Sequence, residues 1–220
     1  MTEPEARDEI CRVGKSLFER GYVHGTAGNI SVRLDDGFLI TPTDASLGFL
    51  QPQQLARLDL DGRQLSGDKA SKTLALHRRV YESTRGFSKS PRCVLHTHST
   101  HCVALTLEPH GEELLPAITP YYVMKVGRVP VVPYHRPGDP TAAEWVAQAI
   151  ARYAAGGTEL RAVMLERLGP SVWHDTPALA MAVLEELEET ARLWSLTCLR
   201  PAPLSAEQIE QLRAHFGARW

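Results

Sequence analysis

Two histidines, His96 and His98, stand one residue apart in Val-Leu-His-Thr-His-Ser at residues 94–99. In a strand, alternate side chains point the same way, so both imidazoles would project from one face. A neutral imidazole nitrogen is a good ligand for zinc and for neighbouring first-row metals. The spacing predicts half of a metal site, although such a pair also arises by chance in a chain with nine histidines.

Two further stretches carry groups suited to an anion. Gly25-Thr-Ala-Gly-Asn-Ile-Ser combines glycines, which allow close backbone approach, with hydrogen-bonding side chains; an ordinary turn is the alternative. Ser71 and Lys72 stand near the start of a predicted helix, where free N–H groups and the helix dipole favour an anion. A capped surface helix is the alternative there. Further along the same helix, His77 is interpreted as a packed or hydrogen-bonded histidine.

Composition excludes several classes of function. The 220 residues include 24 basic and 26 acidic side chains, with no basic stripe that would indicate nucleic-acid binding. No apolar run reaches the length of a membrane span. The four cysteines (Cys11, Cys93, Cys102 and Cys198) are scattered, which favours a reducing cytoplasm. We expect a single domain over residues 1–220.

The elements that must position these residues form an α/β pattern. Asp35-Asp-Gly and Asp61-Gly predict two β-hairpins in the first third of the chain. The capping pair Thr2 and Glu5 begins a helix over 3–21, and Thr141 and Glu144 are expected to cap another. Further helices are predicted from residue 66, over 99–107, over 176–199 and after Ser205, and strands around 94–98, 129–132 and 161–165. The architecture is predicted to be a mixed, mainly antiparallel sheet between helical layers.

Taken in order, the motifs resemble the class II aldolase/adducin family. The matching stretches are Gly25-Thr-Ala-Gly-Asn-Ile-Ser, Ile40-Thr-Pro-Thr, Ser71, His96-Thr-His and Gly169-Pro. Within that family the chain is most similar to the 3-oxo-tetronate 4-phosphate decarboxylase branch. This second likeness rests on Ser46-Leu-Gly, Ser66-Gly-Asp-Lys-Ala-Ser-Lys, Thr119-Pro-Tyr-Tyr-Val-Met-Lys-Val-Gly, Arg136-Pro-Gly-Asp-Pro and Glu185-Glu-Leu-Glu-Glu-Thr-Ala.

The resemblance implies a three-layer α/β/α fold and a homotetramer with sites between neighbouring subunits. It implies a small phosphorylated sugar acid as substrate and a divalent metal, zinc or else manganese. His96 and His98 match two of the family's metal-ligating histidines. The residues that match its phosphate-binding loops are Gly28, Asn29, Thr43, Ser71 and Lys72.

Three positions depart from the family pattern. Leu168 stands where the third metal-ligating histidine is usual, and Thr73 stands where the acid/base glutamate is usual. A replacement ligand would be His135 or His101, although either is also explained as a surface histidine. Asp44 stands where aldolases often have glycine, and its carboxylate would repel a phosphate unless it points away or meets Lys72.

These departures favour decarboxylation over aldol chemistry. An aldolase needs a positioned base, whereas a 3-oxo acid loses carbon dioxide once the resulting enolate is stabilised. Tyr121, Tyr122 and Lys125 are candidates for protonating the product and for binding the substrate carboxylate, and Thr73 stays a candidate by its position. The alternatives are a sugar-phosphate aldolase, a non-catalytic ligand-binding member of the fold, and an enzyme acting on an unphosphorylated acid.

Overall fold

The computed structural model describes residues 1–197 and 200–220. Cys198 and the predicted end of a helix at Leu199 lie outside this part of the chain. The helices are α1 (Glu3–Glu19), α2 (Leu74–Ser83), α3 (Thr100–Leu105), α4 (Pro140–Ala155), α5 (Pro177–Leu196) and α6 (Ala206–Phe216). The strands are β1 (Asn29–Leu34), β2 (Gly37–Ile40), β3 (Ala56–Leu58), β4 (Gln64–Ser66), β5 (Cys93–His96), β6 (Val131–Val132), β7 (Ala162–Leu165) and β8 (Gly169–His174).

All eight strands form one sheet in the order β4-β3-β2-β1-β5-β8-β7-β6. Every pairing is antiparallel except that of β6 with β7. One face of the sheet packs on α1, α3 and α5 through a core that includes Ile10, Leu95 and Leu184. The other face packs on α2 and α4 through a core that includes Val80 and Ile150. The predicted three-layer α/β/α fold with a mainly antiparallel sheet is confirmed.

Local signals in the sequence explain many of the element boundaries. Thr2 and Glu5 form the expected capping box of α1, and the Asp-Asp-Gly turn joins β1 to β2 with Leu34 opposite Gly37. The cap of α4 is a correction: Asp139, not Thr141, is its N-cap residue, and the Asp139 carboxylate accepts a hydrogen bond from the Thr141 amide. Among the described residues, no helix is long and apolar enough to cross a membrane.

Strand β8 is the element that the sequence analysis missed. It lies between β5 and β7, where its residues pair with both neighbours. Its first residue, Gly169, has φ +133°, and a Cβ there would lie 2.0 Å from the carbonyl oxygen of Thr97. Only glycine fits this close approach of two backbones. The Gly-Pro signal that suggests a loop therefore marks the start of a central strand.

Candidate active site

His96 is the last residue of β5, and the strand ends there. The expectation that His98 continues the strand is therefore wrong, because His98 follows the end of β5 in irregular backbone. The two rings nevertheless lie side by side, with centroids 5.3 Å apart. The structure thus brings the predicted pair together, although His98 lies beyond the end of the strand.

The orientation of the His96 ring is fixed by β8. Its Nδ1 lies 2.9 Å from the carbonyl oxygen of Pro170 and 3.2 Å from Oγ of Ser171. A carbonyl only accepts hydrogen bonds, so Nδ1 carries the proton and Nε2 keeps a free lone pair. Burial and the nearby His98 lower the pKa of His96 to about 4, against the opposing effect of the Pro170 carbonyl. The ring is therefore neutral at physiological pH, as a metal ligand must be.

His98 is more exposed than His96. Its pKa is lowered by partial burial and by the proximity of His24, which lies in the loop before β1. Both imidazoles line a cavity of about 200 Å³ between α2 and the 136–143 segment. Much of the lining of this cavity is apolar, and we call its apolar part (Leu76, Ala143, Leu165 and Leu168) the apolar wall.

The five predicted phosphate residues come together beside this cavity. Gly28, Asn29, Thr43, Ser71 and Lys72 all line an adjoining open pocket of about 360 Å³. The two spaces share Asn29, Lys72, Thr73 and His98 in their linings, so they adjoin and can be described as two parts of one site. We call the first the imidazole cavity and the second the anion pocket.

Backbone pairing holds the anion pocket together. The Thr43 amide donates to the Lys69 carbonyl at 2.9 Å, and Pro42 and Ala70 form an isolated β-bridge. These contacts set Thr43 and Ser71 on neighbouring segments. Gly28 has φ +87°, and a Cβ at that position would lie 2.9 Å from the His96 carbonyl oxygen. Glycine therefore lets the loop before β1 pass directly against the end of β5.

Lys69 is a lining residue of the anion pocket that the sequence analysis did not single out. Within the described residues, neither Lys69 nor Lys72 forms an ion pair with a carboxylate. Asp44 also lines this pocket and has φ +57°. This left-handed conformation explains why glycine suits the position and why aspartate is tolerated there.

The candidate third metal ligands do not join the pair. His135 has its Nδ1 2.6 Å from the Pro133 carbonyl oxygen, and its ring packs near Trp145. His101 contacts Glu188 of α5, with Nδ1 2.8 Å from Oε1. Neither lines the imidazole cavity. Among the described residues, no group of three His, Cys, Asp or Glu side chains is placed to hold a metal ion.

The remaining catalytic candidates are divided between the site and the surface. Thr73 lines both the imidazole cavity and the anion pocket, and its hydroxyl lies 2.8 Å from that of Ser71. Tyr121 is 61% exposed, and neither it nor the exposed Lys125 lines the site. Tyr122 is fully buried in the core. Arg136, which the sequence analysis quoted without a role, lines the imidazole cavity.

Comparison with known sequences places this geometry in a family. The chain matches the model of the Class II Aldolase and Adducin N-terminal domain over residues 8–195. A Cupriavidus necator protein named 3-oxo-tetronate 4-phosphate decarboxylase is 51% identical over 226 positions, covering 100% of this chain and 99% of that protein. An Escherichia coli protein of the same name is 41% identical, and the match covers 96% of this chain and 97% of that protein.

Comparison with solved structures supports the same family assignment. YgbL from Escherichia coli superposes with a TM-score of 0.86 at 38% identity, covering 96% of this chain and 99% of that chain. An L-fuculose 1-phosphate aldolase superposes with a TM-score of 0.77 at 23% identity, covering 97% of this chain and 96% of that chain, a likeness of fold alone. The chain belongs to the class II aldolase and adducin family.

Proposed function

We propose that this protein is a lyase that removes carbon dioxide from a 3-oxo four-carbon sugar acid carrying a phosphate on carbon 4. The observation that carries the proposal is that the anion pocket adjoins the imidazole cavity and shares lining residues with it. One end of the site offers cations and hydroxyls, and the other joins two imidazoles to an apolar wall. The two decarboxylases that are 51% and 41% identical over nearly their whole length support this substrate class.

The phosphate would bind in the anion pocket. Lys69 and Lys72 supply positive charge there, while Thr43 and Ser71 supply hydroxyl groups. Hydrogen bonds from charged donors to phosphate oxygens are among the strongest in proteins. With the phosphate held at this end, the short carbon chain of the substrate extends past His98 into the imidazole cavity.

The apolar wall favours loss of carbon dioxide. A carboxylate placed against Leu76, Leu165 and Leu168 gives up hydration, whereas the carbon dioxide that leaves is uncharged. Leucine at position 168 makes the cavity more apolar than a histidine would. We propose that Arg136 orients the carboxylate from the rim of the cavity.

His96 and His98 would hold a divalent metal, zinc or manganese. When bound, such a metal acts as a Lewis acid that polarises the keto group. The neutral His96 ring, with Nδ1 committed to Pro170 and Nε2 free, fits the role of a ligand. The described residues offer no third protein ligand, so water or substrate oxygens would complete the coordination.

The proposal includes a homotetramer with sites between neighbouring subunits. The exposure of Tyr121 and Lys125 suits this assembly, because both side chains are available to a second copy. In such a tetramer they would reach the site of the neighbouring subunit. Light scattering of the purified protein measures the assembly, and a monomer that decarboxylates at full rate would contradict this part of the proposal.

The test of the function is a direct assay of carbon dioxide release. The substrate is a 3-oxo four-carbon acid 4-phosphate, presented alongside its unphosphorylated counterpart. We expect release from the phosphorylated acid by the wild type and strong loss of release in the His96→Ala, His98→Ala variant. Preference for the unphosphorylated acid would contradict the assignment of the anion pocket.

A sugar-phosphate aldolase is the second candidate, supported by the likeness of fold to L-fuculose 1-phosphate aldolase. Thr73 weighs against it, because a threonine hydroxyl is a poor base for aldol cleavage. Cleavage of a sugar phosphate without release of carbon dioxide would favour this candidate. Binding of both phosphorylated compounds without turnover would favour a non-catalytic member of the fold.

A further inference from the structure

Helix α3 begins two residues after His98, and its first turn is capped from another helix. Ser99 stands at the N-cap position, where a serine hydroxyl ordinarily accepts a hydrogen bond from the helix, but no such bond forms here. The Ser99 hydroxyl instead lies 2.6 Å from that of Thr97. The cap is supplied by Glu188 of α5, whose carboxylate reaches the start of α3.

Both carboxylate oxygens of Glu188 take part in this contact. Oε1 accepts a hydrogen bond from the His101 amide at 2.9 Å and lies 2.8 Å from Nδ1 of the same residue. Oε2 accepts a hydrogen bond from the Cys102 amide at 3.0 Å. Two hydrogen bonds from neighbouring amides to one carboxylate fix its direction as well as its distance. Glu188 therefore ties the first turn of α3 to α5.

Glu188 lies on the buried face of α5. It is 9% exposed, and its neighbours Leu184, Leu187 and Ala191 are each 0% exposed in the core between α5 and the sheet. A glutamate is seldom buried unless its carboxylate is paired, and within the described residues the first turn of α3 provides the partners. Because α5 packs against β5 and β8, the carboxylate has a fixed position relative to the site.

His98 depends on such support more than His96 does. The His96 ring is oriented by the Pro170 carbonyl. For the His98 ring no such hydrogen bond is present among the described residues, and its aromatic neighbour is the His96 ring, 5.3 Å away between centroids. The position of His98 is therefore set by its backbone, which lies in irregular structure between β5 and α3. The Thr97 amide donates to the Pro170 carbonyl at 3.3 Å on one side, and Glu188 holds the first turn of α3 on the other.

We propose that Glu188 is a positioning residue that holds His98 beside His96 for metal binding. The proposal rests on the metal site of the proposed function, and it gives a role to one member of the acidic run at 185–189. Glu188 acts through the backbone of the first turn of α3, which continues directly from His98. Metal–ligand distances vary by only about 0.2 Å, so a small displacement of one ring weakens the site. The described residues offer no third protein ligand that would compensate.

The test compares Glu188→Gln with Glu189→Gln, its matched control. Glutamine keeps the shape of the side chain but offers one acceptor oxygen where the first turn of α3 uses two. Glu189 is the next residue of α5, is exposed, and contacts Arg192 of its own helix at 3.4 Å. We expect zinc affinity, measured by competition with a chromogenic chelator, to fall about tenfold or more in Glu188→Gln. We expect Glu189→Gln to keep the affinity of the wild type.

A second readout follows each ring separately and distinguishes positioning from a general loss of structure. Histidine labelled with ¹³C at Cε1 gives one signal per ring, and the His96→Ala and His98→Ala variants assign the two signals of the site. We expect zinc to shift both signals in the wild type. In Glu188→Gln we expect zinc to shift the His96 signal as before and the His98 signal less. A merely structural role would change both signals alike or neither.

Glu188→Asp provides a second variant, which keeps both carboxylate oxygens and withdraws them by one methylene group. We expect it also to lower zinc affinity and to reduce the shift of the His98 signal, because the oxygens no longer reach both amides. Urea unfolding shows which variants are folded. If Glu188→Gln does not fold, Glu188→Asp decides, and unchanged zinc affinity in it would overturn the role of Glu188.

The outcomes separate this role from the proposed function. Wild-type zinc affinity in folded Glu188→Gln, or equal shifts of both rings in it, would overturn the role of Glu188 and leave the metal site of His96 and His98 in place. Absence of zinc binding by the wild type, or binding that shifts neither ring, would overturn the role together with the metal site. The proposed decarboxylation would then still be decided by the assay of carbon dioxide release.

Discussion

Nδ1 of His96 lies 2.9 Å from the carbonyl oxygen of Pro170, and this contact ties the candidate metal ligand to β8. The same strand begins one residue after Leu168, the position at which the family usually supplies a further histidine. The support for the first imidazole is therefore present, while Leu168, two residues before Pro170, offers no ligand atom. The site that results has one imidazole oriented by β8, His96, with His98 beside it, in a cavity whose lining includes Leu168.

The first prediction concerns metal content. We expect purified wild-type protein to bind a divalent metal and the His96→Ala, His98→Ala variant to lose it, because these two rings lie side by side in the lining of the cavity. Elemental analysis after dialysis against zinc or manganese measures the difference. Equal metal content in the two proteins, or none in either, would contradict the assignment.

The second prediction concerns position 168. Leu168→His would place an imidazole on the wall of the cavity that holds His96 and His98. Since a third ligand completes the usual three-ligand arrangement, we expect metal affinity to rise, about tenfold for each 1.4 kcal/mol that the added ligand contributes. Competition with a chromogenic chelator measures the change.

Leu60→His is the matched control for this substitution. Leu60 is 56% exposed and lies outside the imidazole cavity, so the variant adds a histidine without adding a ligand to the site. We expect its metal affinity to equal that of the wild type. An equal rise in both variants would show that the added histidines bind metal elsewhere.

The sequence predicted those parts of the fold that depend on local patterns. The capping box at Thr2 and the turn before Gly37 fix local backbone whatever the rest of the chain does, and both were predicted correctly. Strand β8 was not predicted, because its start, Gly169-Pro, has the composition of a loop. The glycine is there because the Thr97 carbonyl approaches it, and no pattern within β8 records a contact with a residue more than seventy positions away.

The candidate site, too, was predicted where it depends on local motifs and was not predicted where it depends on the whole fold. The residues matching the phosphate loops could be predicted from their motifs, and the structure places all five around one pocket. His77 was assigned a hydrogen-bonded role, which its contact with Ser31 confirms, but its unpaired Nε2 could not be foreseen. Whether an atom lacks a partner depends on the burial of the whole neighbourhood, which periodicity does not encode.

The third prediction concerns the anion pocket. Lys72→Met keeps most of the side-chain volume and removes a cation that lines both parts of the site. A hydrogen bond to a charged group is worth about 1.5–3 kcal/mol, so we expect KM for the phosphorylated acid to rise about 10–100-fold. KM for an unphosphorylated analogue is expected to change little. Lys15→Met on the exposed face of α1 is the control, and a similar KM increase in it would refute the assignment.

The fourth prediction concerns pH. The folded protein holds the pKa of His77 at about 3, well below the value of 6.5 for a free histidine. As pH falls below 6.5 the unfolded chain binds a proton that the folded protein does not, so the free energy of unfolding falls. The slope approaches about 1.4 kcal/mol per pH unit for each such histidine. Urea unfolding of metal-free protein between pH 7 and pH 5 measures it.

His77→Gln is the variant that tests this assignment. It removes one of the buried neutral histidines, so the free energy of unfolding is expected to depend less steeply on pH than in the wild type. His96 contributes in the same direction, because its pKa is about 4, and some slope therefore remains. Identical slopes in the two proteins would show that His77 titrates normally.

The fifth prediction concerns Gly169. A Cβ at this position would lie 2.0 Å from the Thr97 carbonyl oxygen, in a backbone conformation that side chains rarely adopt. Because neither β8 nor the segment after β5 can shift without moving His96 or its Pro170 partner, we expect Gly169→Ala to lower the free energy of unfolding by about 1–3 kcal/mol or more. Gly86→Ala is the matched control, since a Cβ there has no neighbour within 4 Å. We also expect weaker metal binding in Gly169→Ala but not in Gly86→Ala, because β8, the strand that would have to move, orients the His96 imidazole. Equal free energies of unfolding in the two variants would contradict this account of β8.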